Sequence, residues 1–142
     1  MTSELSDEER LLAQLCREPQ ETAWLEFKEN LADTEQIGEY VSALSNGAVL
    51  ESRAQAYLVW GVSDHEHNIV GTAVDPTRLK VGAEDFVPWL LRLLTPHVDL
   101  NFIKVCVSVD VTVWMLEIAA ARTRRWGSRA SSMFGWVRTR RS

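Results

Sequence analysis

The chain has 142 residues, of which 46% are hydrophobic and 25% charged, with a formal net charge of −5. This composition is typical of one globular domain with its own core. Its apolar runs are far too short to span a membrane, and the acidic start MTSELSDEER lacks the apolar stretch of a signal peptide. Cys16 and Cys106 show no CxxC spacing, so we expect no disulfide framework or zinc motif and place the protein in the reduced cytoplasm.

Charge is distributed very unevenly along the chain. Residues 1–121 contain 8 Lys and Arg against 20 Asp and Glu, whereas residues 122–142 contain seven arginines and no acid. A body this acidic is a poor general binder of phosphate backbones. Affinity for nucleic acid must therefore come from the C-terminal arginines, from local patches or from bridging metal ions. The seven are Arg122, Arg124, Arg125, Arg129, Arg138, Arg140 and Arg141.

The first two predicted elements are a helix and a short strand. Ser6 with Glu9 has the form of a capping box, which predicts a helix over 6–17 that ends before Pro19. Hydrophobicity then alternates over residues 24–28, which predicts a half-buried strand. Leu25 and Phe27 share one face of this strand, and Trp24, Glu26 and Lys28 share the other.

A second helix and a central strand follow. Asp33 is the predicted N-cap of the helix, and Asn46-Gly47 its predicted end. The segment AYLVWGV (56–62) is apolar on both faces, which indicates a central strand. A polar turn, SDHEHN (63–68), leads into IVGT (69–72), so residues 56–72 are predicted to form a β-hairpin.

The remaining pattern predicts one more helix and a second hairpin. The helix should begin near Asp85, because Pro88 is tolerated only in a first turn, and should end at Thr95-Pro96. Residues 98–109 and 111–119 form the hairpin. Together these elements predict a single α+β domain: a mostly antiparallel sheet of two hairpins plus an N-terminal strand, covered by about three helices.

Four segments, in this order, resemble the Schlafen AlbA-like domain: ETAWLEFKEN, IGEYVSALSNGAVL, YLVWGVSDHEHNIVGT and VWMLEIAAA. The likeness covers residues 18–121, preceded by the N-terminal helix in 1–17 and followed by the basic segment 122–142. Bacterial members are usually described as DNA-binding domains, and they often precede a helix-turn-helix or an ATP-binding segment. The resemblance therefore implies a module that interacts with DNA or RNA.

A related domain of eukaryotic Schlafen proteins is a metal-dependent endoribonuclease that uses two glutamates and one aspartate. These match Glu21, Glu26 and Asp64. The resemblance thus implies that the three carboxylates are catalytic and bind Mg²⁺ or Mn²⁺, with Lys28 assisting at the phosphate. Positions five apart on a regular strand point to opposite faces, so the two glutamates converge only if the strand begins after Glu21 or contains a bulge.

Other interpretations of these residues remain open. The three acids could be solvated side chains at strand ends, with Glu26 paired to Lys28. In DHEH (64–67), strand alternation would separate the histidines from the acids, which favours a polar turn over a metal cluster.

Trp24 shares its strand face with Glu26, so it is the tryptophan we expect to stack on bases. Trp60 and Trp89 lie within apolar patterns that indicate the core. The predicted nucleic-acid-binding residues are Trp24, Lys28, Arg122, Arg124 and Arg125. The expected partner is RNA or DNA, and a homodimer remains an open alternative. The sequence contains no P-loop, so we expect neither ATP nor a membrane as a partner.

The segment 122–142 departs from the pattern of the family, which continues into a strand that completes the sheet. It is either a basic arm that binds nucleic acid or the product of a shifted reading frame or truncation; the abrupt change of character favours the second. A rival to the nuclease hypothesis is a noncatalytic regulatory or interaction domain separated from a larger ATP-binding or helix-turn-helix protein. The acidity of residues 1–121 favours that rival over simple sequence-reading DNA binding.

Overall fold

Residues 6–18, 22–64, 66–94 and 98–120 are described by a computed structural model. Within them, three helices, a four-stranded sheet and a two-stranded ribbon form an α+β fold. In chain order the elements are α1 (Asp7–Leu15), β1 (Leu25–Lys28), α2 (Thr34–Leu50), β2 (Gln55–Trp60), a 3₁₀ turn (Pro76–Arg78), β3 (Lys80–Val81), β4 (Glu84–Asp85), α3 (Phe86–Leu93), β5 (Leu100–Ser108) and β6 (Val111–Ala119).

The main sheet has the strand order β1-β2-β6-β5 and is mixed. β1 pairs with β2 in parallel, because α2 provides the crossover between them, and the other two pairs are antiparallel. The predicted α+β class and the predicted hairpin of β5 and β6 are confirmed. β2 lies between two neighbours and residues 56–60 are all buried, so the expectation of a central strand is also confirmed.

Helix α1 is held at its start by the capping box that the sequence indicates. The hydroxyl of Ser6 accepts a hydrogen bond from the backbone N–H of Glu9 (3.1 Å), and the Glu9 carboxylate accepts one from the backbone N–H of Ser6 (2.9 Å). Leu12 and Leu15 are buried against the core. The helix ends at Leu15, two residues before the predicted limit.

Helix α2 begins after Asp33 as predicted, but its predicted end at Asn46-Gly47 is wrong. The helix continues to Leu50. Gly47 serves close packing instead of helix termination, since a Cβ at this position would lie 1.8 Å from the carbonyl oxygen of Ala23. Only a residue without a side chain lets the helix approach the chain that enters β1 so closely.

The predicted hairpin over residues 56–72 is largely wrong. Only one bridge, between Val62 and Ile69, joins its two halves, and β2 pairs with β1 and β6 instead. The chain leaves β2 at Gly61, which has a φ of 103°. The carbonyl oxygen of Gly61 accepts hydrogen bonds from the N–H groups of Val70 and Gly71, both at 2.8 Å, so a compact loop replaces the second strand.

The helices pack against the strands and against one another. α2 packs across β2, β6 and β1, and α3 lies beside α2, where Leu90 faces Gly38. α3 begins directly after Asp85 as predicted, with Pro88 in its first turn. No helix in the described part of the chain is long and apolar enough to cross a membrane.

Candidate functional site

Strand β1 presents Glu26 and Lys28 on the face that α2 covers. The burial pattern of the strand alternates, with Leu25 and Phe27 buried and the two charged residues half-buried. About 30% of the Glu26 side chain and 28% of the Lys28 side chain is exposed, and the carboxylate Oε2 lies 3.6 Å from the ammonium Nζ. This pair confirms the expected alternation of faces.

The loop that carries Asp64 is fastened to the end of β1. The carbonyl oxygen of Lys28 accepts a hydrogen bond from the N–H of Gly61 at 2.7 Å. Asp64 follows Gly61 by three residues, within a turn closed by two hydrogen bonds between Ser63 and Asn68, at 2.8 and 3.0 Å. These contacts bring the exposed Asp64 near enough to Glu26 for the two carboxylates to repel each other.

A second pair of hydrogen bonds anchors the far end of the same loop. The side-chain carbonyl of Asn30, two residues after β1, accepts hydrogen bonds from the hydroxyl of Thr72 (2.9 Å) and the backbone N–H of Ala73 (3.0 Å). Both ends of the loop are therefore tied to the chain just after Glu26 and Lys28. No local pattern indicates this role of Asn30, because its partners lie more than 40 residues away in the sequence.

Glu26, Lys28 and Asp64 form a charged cluster, in which Lys28 neutralises Glu26 only in part. Burial is the main cause that raises the pKa of Glu26, and the negative charge of Asp64 adds to it, while Lys28 acts in the opposite direction. For Lys28, hydrogen bonding to Tyr40 is the largest cause that raises the pKa; burial opposes it, and Glu26 and Asp64 support it. Lys28 is thus a cation at neutral pH beside two carboxylates, one of which is costly to ionise.

Tyr40, on α2, is a member of this cluster that the sequence analysis missed. The Nζ of Lys28 lies 5.2 Å from the centroid of the Tyr40 ring. Helical periodicity places Tyr40 beside the buried stripe of α2, but only the crossing of α2 over β1 brings it to Lys28. A tyrosine within a helical pattern carries no signal for such a contact.

Several predicted site residues lie outside the described residues: Glu21, Arg122, Arg124 and Arg125. Trp24 is only 6% exposed, and the guanidinium carbon of Arg53 lies 3.7 Å from the centroid of its ring. Stacking of a base on this ring would therefore require Arg53 to move away. The expectation that Trp24 stacks on bases stays a prediction.

The DHEH segment lies only partly within the description, since His65 is outside it. The ring of His67 packs against Phe27, with centroids 4.3 Å apart, and its Nδ1 lies 3.3 Å from the carbonyl oxygen of Cys16. His67 therefore contacts the face of β1 opposite Glu26, between the strand and the end of α1.

The donor chemistry of the cluster fits a hard divalent cation. The described residues contain no group of three or more His, Cys, Asp or Glu side chains that could hold a metal ion. Glu26 and Asp64 nevertheless supply two carboxylates whose mutual repulsion a cation would relieve. Mg²⁺ is commonly held by one or two carboxylates, with water and substrate phosphates completing its coordination.

Comparison with known proteins identifies one family. The family model described as "Schlafen, AlbA_2" matches residues 21–140. The matched range contains all four predicted catalytic positions, Glu21, Glu26, Lys28 and Asp64, and extends beyond residue 121 into the arginine-rich segment. No curated protein sequence matches the chain.

Proposed function

This chain belongs to the Schlafen AlbA_2 family, and on that premise we propose that it is a nucleic-acid-interacting module with its site at the C-terminal end of β1. In its most specific form, the module is a metal-dependent nuclease that cleaves RNA or DNA. One observation carries this proposal: Lys28 lies 3.6 Å from Glu26 at the end of one strand, and the loop after β2 brings the negative charge of Asp64 near enough to act on both.

Each side chain has a distinct task in this proposal. Glu26 and Asp64 supply oxygen ligands for Mg²⁺ or Mn²⁺, and Glu21 is the proposed third ligand. When bound, such an ion would polarise the scissile phosphate and lower the pKa of a nearby water molecule. Lys28 remains charged and stabilises the negative charge that develops on the phosphate oxygens.

The arginines at the C-terminal end supply the general affinity for phosphate backbones in this proposal. Residues 1–121 carry 20 acidic side chains against 8 basic ones, so their overall field repels nucleic acid. Arg122, Arg124 and Arg125 add positive charge next to this body. Contacts of this kind are sequence-independent and weaken as salt increases.

A noncatalytic interaction or regulatory domain is the second candidate function. The same acidity favours it, as does the covered ring of Trp24, which leaves Arg53 in place of a stacked base. In that case Glu26 and Asp64 would be solvated acids, and divalent ions would have no effect on the protein.

Cleavage of end-labelled transfer RNA and single-stranded DNA tests the nuclease proposal. The full chain is incubated with Mg²⁺ or Mn²⁺ beside Glu26→Gln, Asp64→Asn and the matched control Glu51→Gln, which changes an exposed glutamate just after α2. We expect metal-dependent cleavage by wild type and Glu51→Gln, and a loss of about 100-fold or more in the two site variants.

The opposite outcome would support an interaction domain. Cleavage that survives chelation of the metal, or that is equal in Glu26→Gln and wild type, contradicts the nuclease proposal. A fourth variant, with Arg122, Arg124 and Arg125 all changed to Ser, separates general affinity from the site. It should weaken binding at low salt without abolishing metal dependence.

A further inference from the structure

We propose that Tyr40 is a positioning residue, whose ring holds the ammonium group of Lys28 beside Glu26 and Asp64 so that this group can contact a phosphate oxygen. The contact between this ammonium group and a phosphate oxygen rests on the proposed function. The placement of the ammonium group by Tyr40 does not, and it can be measured without any substrate.

Lys28 needs a second contact if its ammonium group is to occupy one place. Its side chain has four rotatable carbon–carbon bonds and is 28% exposed. The 3.6 Å separation from Glu26 is longer than a hydrogen bond, and a half-exposed ion pair of this kind restrains a lysine weakly. The Tyr40 ring lies 5.2 Å from Nζ, within the range of a cation–π interaction, and it restrains the ammonium from the side of α2.

The position of Tyr40 follows from the packing of α2 on the chain that enters β1. Gly47 touches the backbone of Ala23, and this contact fixes the height of the helix above the strand. Tyr40 precedes Gly47 by about two helical turns, and Lys28 follows Ala23 by five residues. Helix and strand run in opposite directions here, so the Gly47 contact sets Tyr40 over Lys28.

The charges around Lys28 agree with this role. The ammonium lies 3.6 Å from the Glu26 carboxylate and 5.2 Å from the centroid of the Tyr40 ring. Two groups from two elements therefore flank it: the carboxylate from β1 and the ring from α2. The face of an aromatic ring attracts a cation without carrying a formal charge, so it restrains the ammonium without neutralising it.

Nuclear magnetic resonance of lysine side chains tests the placement directly. The chain contains only three lysines, Lys28, Lys80 and Lys104, so selective ¹³C-lysine labelling of the full chain gives three ε-methylene signals. Lys28→Arg identifies the signal of Lys28. We expect that signal to be shifted upfield by the Tyr40 ring, to lose this shift in Tyr40→Leu and to keep most of it in Tyr40→Phe.

The matched variant Tyr40→Phe separates the ring from the hydroxyl in the same experiment. It keeps the ring that lies over the ammonium and removes only the hydroxyl, so the upfield shift of the Lys28 signal should persist in Tyr40→Phe and vanish in Tyr40→Leu. The signals of Lys80 and Lys104, which lie away from the cluster, should not change, and this control reports that the variants are folded. An unchanged Lys28 signal in a folded Tyr40→Leu variant overturns the proposal.

The functional arm uses transfer RNA with Mn²⁺. If Tyr40 acts through Lys28, then Tyr40→Leu and Lys28→Met each reduce cleavage about tenfold or more, and the double variant loses no more than Lys28→Met alone. Losses that multiply in the double variant overturn the positioning role. If the wild-type chain does not cleave transfer RNA, the proposed nuclease activity is refuted instead. The NMR signal of Lys28 then tests by itself whether the Tyr40 ring contacts the ammonium group.

Discussion

At its N-terminal end β1 is closed by packing, whereas at its C-terminal end the same strand carries charged side chains that remain half-exposed. Trp24, just before the strand, is 6% exposed and covered by Arg53. Ala23 is pressed against Gly47 of α2. Among the described residues at this end, a ligand could stack on the ring of Trp24 only by displacing Arg53.

The C-terminal end shows the opposite organisation. Glu26 is partly buried beside another carboxylate, Asp64, and Lys28 compensates it only in part. Such an arrangement costs stability, and groups with perturbed pKa values often mark functional sites. The comparison indicates that α2 is anchored at one end of β1 so that the other end can hold charges in place.

The largest effect should come from a change at the packed end. Gly47→Ala places a Cβ 1.8 Å from the carbonyl oxygen of Ala23, so helix and strand must separate. We expect the free energy of unfolding to fall by about 3 kcal/mol or more, measured by urea denaturation.

Gly38→Ala is the matched control, because it is the other glycine of α2. Its Cβ would lie 3.8 Å from Leu90, an ordinary contact, and alanine favours the helix by about 0.5–1 kcal/mol. Equal stability of the Gly47→Ala and Gly38→Ala variants would show that the close contact of Gly47 with Ala23 does not hold α2 on β1.

A smaller effect is expected where Arg53 covers Trp24. Arg53→Ala removes a guanidinium that lies 3.7 Å from the ring centroid and exposes the indole. The expected loss of stability is about 0.5–2 kcal/mol, with increased quenching of tryptophan fluorescence by acrylamide. Arg17→Ala, at an exposed position after α1, controls for the loss of one positive charge. No change in quenching would mean that Arg53 does not shield Trp24.

The smallest effect concerns the pH dependence of stability at the charged end. The pKa of Glu26 is raised above 4.5 in the folded state, chiefly by burial, so ionisation of this group opposes folding. Glu26→Gln should therefore be more stable than wild type at pH 7, by no more than about 1 kcal/mol because the group is partly solvated.

This advantage should fade as pH falls through the folded pKa toward 4.5, since the glutamate of wild type then becomes neutral as well. Urea denaturation at several pH values measures the difference, with Glu51→Gln as the control for charge. A destabilising effect of Glu26→Gln at pH 7 would show that Lys28 outweighs burial and Asp64.

Local chemistry made the starts of the helices predictable. Ser6 and Glu9 satisfy the first N–H groups of α1, and Asp33 those of α2, with partners two or three residues away. Helix and strand periods likewise indicated β2 and the hairpin of β5 and β6. These features depend on neighbours in the sequence.

The wrong predictions concern features that depend on residues far away in the sequence. Gly47 has the appearance of a helix end, but its role is set by Ala23, 24 residues earlier. The segment after Gly61 looked like a strand, but β6 occupies the place beside β2. Glu26 and Asp64 were brought together by family resemblance, whereas Tyr40 was missed because it had neither a local pattern nor a familiar motif.

Metal-linked stability tests the central claim, that the charged end of β1 is a carboxylate site, most directly. Mn²⁺ is titrated into the full chain, and unfolding is followed for wild type, Glu26→Gln, Asp64→Asn and Glu51→Gln. We predict a gain of about 2.7 kcal/mol at a metal concentration 100 times Kd for wild type and Glu51→Gln, and none for the two site variants. An equal response of all four proteins, or no response of wild type, would contradict the claim.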